Sequence, residues 1–301
     1  MIIAVPAHIT GFFLPVIKSV ELEAGSLGAG FSINRYVFTS ISIKKAGSNK
    51  IQIFFNGKDQ TRTAITSELA AKLILEKAEI RNIEITIFHS FQVPIGCGLS
   101  SSGAGALGTV FAINEALDLG FSREELAKIA HIAEVKRKTG LGSVIAQYDG
   151  MFEIRVREGG PGIGRVVRIP REGEVLIIVW GPIETPTILS SRNYIERIKN
   201  AFGVKIGKLL KHPTLIEFAR LSFDFAKKSG LINDYLHRIL EELGNMGYYG
   251  SMLMIGRGIF LVSEDGFSKN DVKKISRKIE LGNATYFTIA RLDNFGVRII
   301  E

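Results

Sequence analysis

The stretch PIGCGLSSSGAG, Pro94 to Gly105, reduces a chain otherwise rich in Ile, Lys and Glu to glycine, serine and little else. It lies between an apolar run, IEITIF, and a helical one, ALGTVFAINEAL. Small residues before a helix leave backbone N–H groups unpaired at its positive end. Phosphate oxygens can reach those groups, and a serine hydroxyl can face a metal ion. Neither G-x-x-x-x-G-K-S/T nor a G-x-G-x-x-G opening a helix is present, which excludes the two standard phosphate loops. On residue types alone, an anion site and a plain turn fit equally well. A second candidate is Glu134. Leu126, Ile129, Ala130 and Ala133 form the apolar stripe of one helix, and that phase buries position 134. A buried carboxylate needs a metal or a partner, such as Lys138 at i+4. A third is the pair Arg155 and Arg157, which share one face of the alternating strand MFEIRVRE. Guanidinium groups bind carboxylates in bidentate fashion, although a solvated strand face would also carry arginines.

The elements that must position these residues read as follows. IIAV, FSINRYVFTSISI and KIQIFF are strand-like, SELAAKLILEKAE is helical, and NIEITIF is a strand. One helix follows the small-residue loop to about Leu117. Another opens at Ser122, where Glu125 completes a capping box. EGGPGIG, Glu158 to Gly164, is the clearest loop, and EVLIIVWG then starts a new unit. Helices are expected near Ser190–Asn200, Thr214–Lys228, Asn233–Leu243 and Ser268–Ile279. The strands SMLMIG, GIFLVS, ATYFTIARL and GVRII complete an α+β sandwich with a largely antiparallel sheet. GSMLMIGRG is expected to form a hairpin turning at Gly256–Gly258, with Met252 and Met254 in the core or the pocket. The domain break falls near 160–175, dividing the chain into 1–165 and 166–301.

With 301 residues, 46% of them hydrophobic, the chain suits two domains rather than one. No apolar run is long enough to span a membrane, and the N-terminus lacks a signal pattern, so a cytoplasmic protein is expected. Cys97 is the single cysteine and the five histidines are scattered, which argues against a structural zinc site. The net charge of +8 suits either nucleic acid or a small anionic substrate. Without basic and aromatic residues interleaved on one face, nucleic-acid binding is not expected.

PIGCGLSSSGA resembles the P-x-x-x-G-L-G-S-S-A-A signature of the GHMP kinases, the family of galactokinase, homoserine kinase and mevalonate kinase. Pro94, Gly98, Leu99, Ser101, Ser102 and Ala104 match in register; Ser100 replaces the middle glycine and Gly103 the first alanine. The resemblance extends over the full length, with His8 of VPAHITGFF at the basic position of the family's A-P-G-R/K segment. PAHITGFF, GSLGAGF, TGLGSVIAQYDG and GSMLMIG are further similar to the archaeal members that phosphorylate pantoate in coenzyme A biosynthesis. This implies a two-domain GHMP-kinase fold: an N-terminal ribosomal-protein-like α/β domain and a C-terminal ferredoxin-like α+β domain. It also implies ATP, Mg²⁺, a hydroxyl acceptor and a carboxylate pocket. The family's phosphate loop maps onto Pro94, Gly96, Gly98, Leu99, Ser100, Ser101, Ser102, Gly103 and Ala104. Its metal ligands map onto Ser102 and Glu134, although Ser102 as a helix cap is a simpler alternative. The implied acceptor residues are His8, Thr10, Ser26, Gly28, His131, Arg155 and Arg157, with Arg155 preferred to Arg157. GSLGAG would lend backbone N–H groups to the substrate or make a hairpin turn. A homodimer is one expectation for the assembly.

One position departs from the resemblance. The pantoate-phosphorylating members have aspartate in TGLGDV, as the base for the acceptor hydroxyl, where this chain has Ser143. Phosphoryl transfer needs positioning and charge neutralisation more than deprotonation, so one reading is a kinase without a base. In a second, Asp149 substitutes, although YDG reads first as a turn. In a third the chain is a weakened enzyme that senses ATP or pantoate. A homoserine or mevalonate kinase is the alternative enzyme.

Overall fold

The computed structural model describes residues 1–182, 192–279 and 283–300. The chain begins with a long antiparallel pair, β1 (Ile3–Val16) and β2 (Gly25–Lys45). Then come β3 (Lys50–Phe55), β4 (Lys58–Asp59), α1 (Ile65–Lys77), β5 (Ile83–Phe91), α2 (Ser101–Ala116), α3 (Arg123–Arg137) and α4 (Ser143–Asp149). The strands β6 (Phe152–Arg157) and β7 (Arg165–Ile169) follow. β5 lies antiparallel to β2 and parallel to β3, while β6 branches off the β1-paired end of β2 and carries β7. A second, antiparallel sheet has the order β11-β8-β10-β9, built from β8 (Glu174–Pro182), β9 (Tyr249–Met252), β10 (Gly256–Ser263) and β11 (Tyr286–Arg291). Around it lie α5 (Arg192–Phe202), α6 (Lys205–Lys211), α7 (Leu215–Ser229), α8 (Asp234–Asn245) and α9 (Lys269–Lys278). The chain returns to the first sheet through β12 (Arg298–Ile299), which pairs with β1. The mixed α+β architecture with mainly antiparallel sheets agrees with the sequence. The start expected for the helix near Ser190–Asn200 lies outside the described residues.

Helix α7 joins the sheets. Phe218 meets Phe31 of β2 at 5.4 Å and Phe152 of β6 at 5.6 Å edge to face, and Phe260 of β10 at 5.9 Å in a tilted arrangement, measured between ring centroids. All four rings are buried, and each contributes about 1.5–3 kcal/mol through burial. The capping box of α3 is formed: Glu125 N donates to Ser122 Oγ at 3.3 Å, and Ser122 N to Glu125 Oε2 at 3.0 Å.

Three segments differ from the sequence expectation. PAHITGFF continues β1 rather than ending it. Bulges at Pro6/Ala7 and Thr10/Phe12 absorb its proline and glycine without losing the ladder. GSLGAG is the first third of β2 and not a turn; at Gly28–Gly30 it is paired on both edges, to β1 and to β6. Its N–H groups in this stretch therefore serve the sheet. Finally, α4 is a helix of seven residues, too short for its periodicity to be read.

Behind α2, the buried His89 bonds Thr39 Oγ1 through Nδ1 at 2.8 Å and approaches Thr109 Oγ1 at 3.5 Å. Burial pushes its pKa down to about 3. The folded chain holds the ring neutral, whereas the unfolded chain takes up a proton below the ordinary value of 6.5. Stability is thus full above that value and falls as pH drops towards 3. We expect about 2 kcal/mol to be lost through this group by about pH 5. Denaturant unfolding of the protein and of His89→Asn at about pH 5 and at a pH well above 6.5 checks this, because the variant should lose less.

Candidate active site

The small-residue loop turns into α2 through three left-handed residues, Gly96 (φ 73°), Gly98 (φ 79°) and Ser100 (φ 56°). No side chain caps α2, so its leading N–H groups are available to an anion. The serines are occupied otherwise. Ser101 Oγ accepts a hydrogen bond from Gly96 N at 3.4 Å. Gln147 fixes the turn by donating to the carbonyls of Pro6 (2.8 Å) and Ser100 (3.1 Å). A Cβ on Gly98 would lie 2.6 Å from the Met254 carbonyl, so the loop rests directly on the turn between β9 and β10. That turn is at Leu253–Ile255, not Gly256–Gly258, whose glycines belong to β10. Met252 and Met254 are buried, as expected.

Glu134 is 1% exposed. Its Oε1 accepts from Ser102 Oγ at 2.6 Å and from Thr139 Oγ1 at 3.0 Å, while Oε2 has no partner among the described residues. Ser143 faces the same carboxylate: a Cβ on Gly140 would lie 2.2 Å from Oε2 and 2.9 Å from Ser143 Oγ. Burial pushes the Glu134 pKa up, against the pull of the surrounding hydroxyls. Lys138 forms no ion pair with it and instead ends α3 in a left-handed conformation.

Arg155 is almost fully buried. Its Nε donates to Ser26 O at 3.2 Å, and its Nη1 bonds the equally buried Glu153. Thr10, Ser26, Arg155, Ser102 and Ser143 all open onto one cavity of about 130 Å³, with apolar walls from Phe13, Leu141 and Met254. Across the loop a second cavity of about 260 Å³ shares Gly96, Ser101, Ser102 and Thr139, and is walled by Phe55, Phe91 and Ile95.

The other candidates lie elsewhere. Pro94 is half-buried before the loop turns, while Leu99 and Ala104 are core residues. His8 lies fully buried beneath the cavity, and Gly28 packs under the Arg155 guanidinium. His131 Nε2 is directed at the carbonyls of Glu21 (3.2 Å) and Ala24 (3.0 Å), so it clamps the β1–β2 connection and does not line the cavity. Arg157 is exposed and donates to the Ile163 carbonyl. Asp149 is ion-paired with Arg168 at 2.9 Å and lies outside the cavity wall. Thr139, Gln147 and Glu153 belong to the site but were not singled out in the sequence. The Glu-x-Arg alternation of β6 was the available signal for Glu153.

The uncapped end of α2, Ser102 beside the buried Glu134 carboxylate, and Arg155 thus meet around one cavity. Residues 64–150 match the family model of the GHMP kinases N-terminal domain. The chain is 36% identical over 266 residues to a pantoate kinase of Thermococcus kodakarensis, covering 87% of each chain. It is 36% identical over 261 residues to a pantoate kinase of Methanocaldococcus jannaschii, covering 86% of this chain and 91% of that one. A solved structure described as a phosphotransferase related to the CoA biosynthesis pathway superposes with a TM-score of 0.83 at 32% identity, covering 99% of this chain and 98% of the other. A homoserine kinase from Cytophaga hutchinsonii, at 17% identity and TM-score 0.70 over 100% and 97% of the two chains, shares the fold. The chain belongs to the GHMP kinases, phosphotransferases that use ATP and a hydroxyl acceptor.

Proposed function

We propose that this chain transfers the γ-phosphoryl group of ATP to the 4-hydroxyl of pantoate. The observation that carries this reading is that the α2 N-terminus and Arg155 open onto one cavity. The first suits a triphosphate and the second a carboxylate. Phe13, Leu141 and Met254 suit pantoate's geminal methyl groups, and the relatives named pantoate kinase support the choice of acceptor. The adjoining cavity, with Phe55 and Phe91, suits the nucleoside. In this reading residues 1–165 hold most of the site, and 166–301 contribute Met254 and Ile255.

Ser102 and Glu134 would hold Mg²⁺. Both offer oxygen, and Glu134 Oε2 is a buried acceptor with no hydrogen-bond partner among the described residues. No cluster of three or more His, Cys, Asp or Glu occurs among the described residues, which fits an ion completed by phosphates and water. Bound there, the ion would neutralise charge on the transferred phosphoryl group. The α2 N–H groups orient the phosphates, and Arg155 anchors the acceptor so that its hydroxyl reaches the γ-phosphate near Ser143. Among the described residues no aspartate lines this cavity, so in this reading transfer relies on positioning and charge.

The test is ADP release with saturating ATP and pantoate, homoserine or mevalonate, with phosphorus NMR locating the product phosphate. Turnover with homoserine or mevalonate but not pantoate would overturn the assignment. Arg155→Lys should raise the KM for pantoate roughly 10–100-fold and leave that for ATP in place, since a point charge replaces the planar fork.

A further inference from the structure

The Arg155 side chain belongs to a buried chain of contacts that crosses three strands. His8 and Thr10 lie on β1, Gly30 opposite Thr10 and Gly28 two residues before it on β2, and Glu153 and Arg155 beyond on β6. The register pairs Thr10 with Gly30, Gly30 with Glu153, and Gly28 with Arg155. The glycines make the crossing possible. A Cβ on Gly30 would lie 2.5 Å from His8 Nε2, and one on Gly28 2.8 Å from Arg155 Nη2. With that space open, His8 Nε2 reaches Glu153 Oε1 at 3.2 Å, the same oxygen that accepts from Arg155 Nη1. The other ring nitrogen, Nδ1, lies 3.4 Å from Thr10 Oγ1. Thr10 lines the acceptor cavity.

With Glu153 ionised and His8 neutral, this geometry has one consistent assignment of protons. An ionised carboxylate only accepts, so His8 donates to it through Nε2–H. The neutral ring then accepts at Nδ1, where among the described residues the Thr10 hydroxyl is the donor. Thr10 consequently turns its lone pairs towards the cavity. Burial lowers the His8 pKa and keeps the ring neutral. Burial also opposes ionisation of Glu153, but the charge of Arg155 and the bond from His8 outweigh it and bring its pKa below the ordinary value.

We propose that Glu153 is a positioning residue that sets the hydrogen-bond polarity of the acceptor pocket. Through Arg155 it fixes a donor for a carboxylate, and through His8 it makes Thr10 an acceptor for the adjacent hydroxyl, selecting a 2-hydroxy acid over its 2-oxo counterpart. This rests on the pantoate reading above. The 2-hydroxyl of pantoate can donate to Thr10, whereas a 2-oxo group offers only lone pairs. An unpaired polar group in such a site disfavours the wrong ligand.

The decisive measurement is the ratio of kcat/KM for pantoate to that for its 2-oxo counterpart. The native chain should favour pantoate by about tenfold or more, the size of one well-made hydrogen bond. Glu153→Gln should abolish most of that preference while the KM for ATP holds, because glutamine can present either its oxygen or its NH₂ to His8. Thr10→Val should lose the preference and Thr10→Ser keep it, which guards against a Glu153 variant that fails to fold. An unchanged ratio in Glu153→Gln or Thr10→Val, with the native chain active on pantoate, overturns the proposal. If the native chain does not phosphorylate pantoate, the proposed function fails and the relay is still read by nitrogen NMR of the imidazoles, with His8→Gln assigning the signal. A His8 ring protonated at Nε2 supports the relay, and one protonated at Nδ1 overturns it.

Discussion

Glu134→Gln is expected to lower kcat by about 10²–10³-fold, the loss that follows removal of one preorganised charge from a reacting centre. Glutamine keeps the volume and can still accept from Ser102 and Thr139 through its oxygen. What disappears is the negative charge at Oε2, the atom without a partner. The Mg²⁺ concentration needed for half-maximal rate should rise with the same substitution. Stability should move the other way. Burial pushes the Glu134 pKa up, so the ionised carboxylate is a destabilising group in the free protein. The neutral isostere removes that penalty, and Tm by calorimetry without nucleotide should increase. A damaged fold would lower both quantities. A kcat within about threefold of the native value would remove Glu134 from the mechanism.

The parts of this site that were legible in the sequence are those encoded locally. The small-residue loop before α2, the capping box at Ser122 and the apolar stripe that buries Glu134 each lie within a few consecutive turns. The relation of Ser102 to Glu134, 32 residues apart, needed the family resemblance to be expected. Glu153 and His8 are 145 residues apart and meet only because β2 lies between their strands with glycines under their side chains. No periodicity reports such a crossing. GSLGAG misled for the same reason. Its glycines mark room for neighbouring side chains, but in isolation they look like turn residues. His131 and Arg157 had the residue types of ligands, yet they satisfy backbone carbonyls of the loops that frame the site.

Ser143→Asp is the substitution expected to gain activity. Position 143 opens α4 and faces both the cavity and Glu134. An aspartate there could accept the proton of the acceptor hydroxyl, and a positioned base typically supplies about 10²–10⁴-fold. We expect the lower end, about 10² in kcat, because a loose transition state draws little on deprotonation. The new carboxylate would also stand beside Glu134 in a poorly solvated site, where like charges oppose joint ionisation. Tm without ligand should therefore fall, and Mg²⁺ with ATP should restore it by neutralising the pair. Coupling of the two effects is the diagnostic. A rise in kcat accompanied by ligand-dependent recovery of Tm identifies Ser143 as the residue that limits native turnover. An unchanged kcat would mean that positioning by Arg155 and the α2 N-terminus already supplies what the reaction needs. A native chain that binds ATP and pantoate without turnover, beside an active aspartate variant, would instead make this protein a binder built on a kinase scaffold.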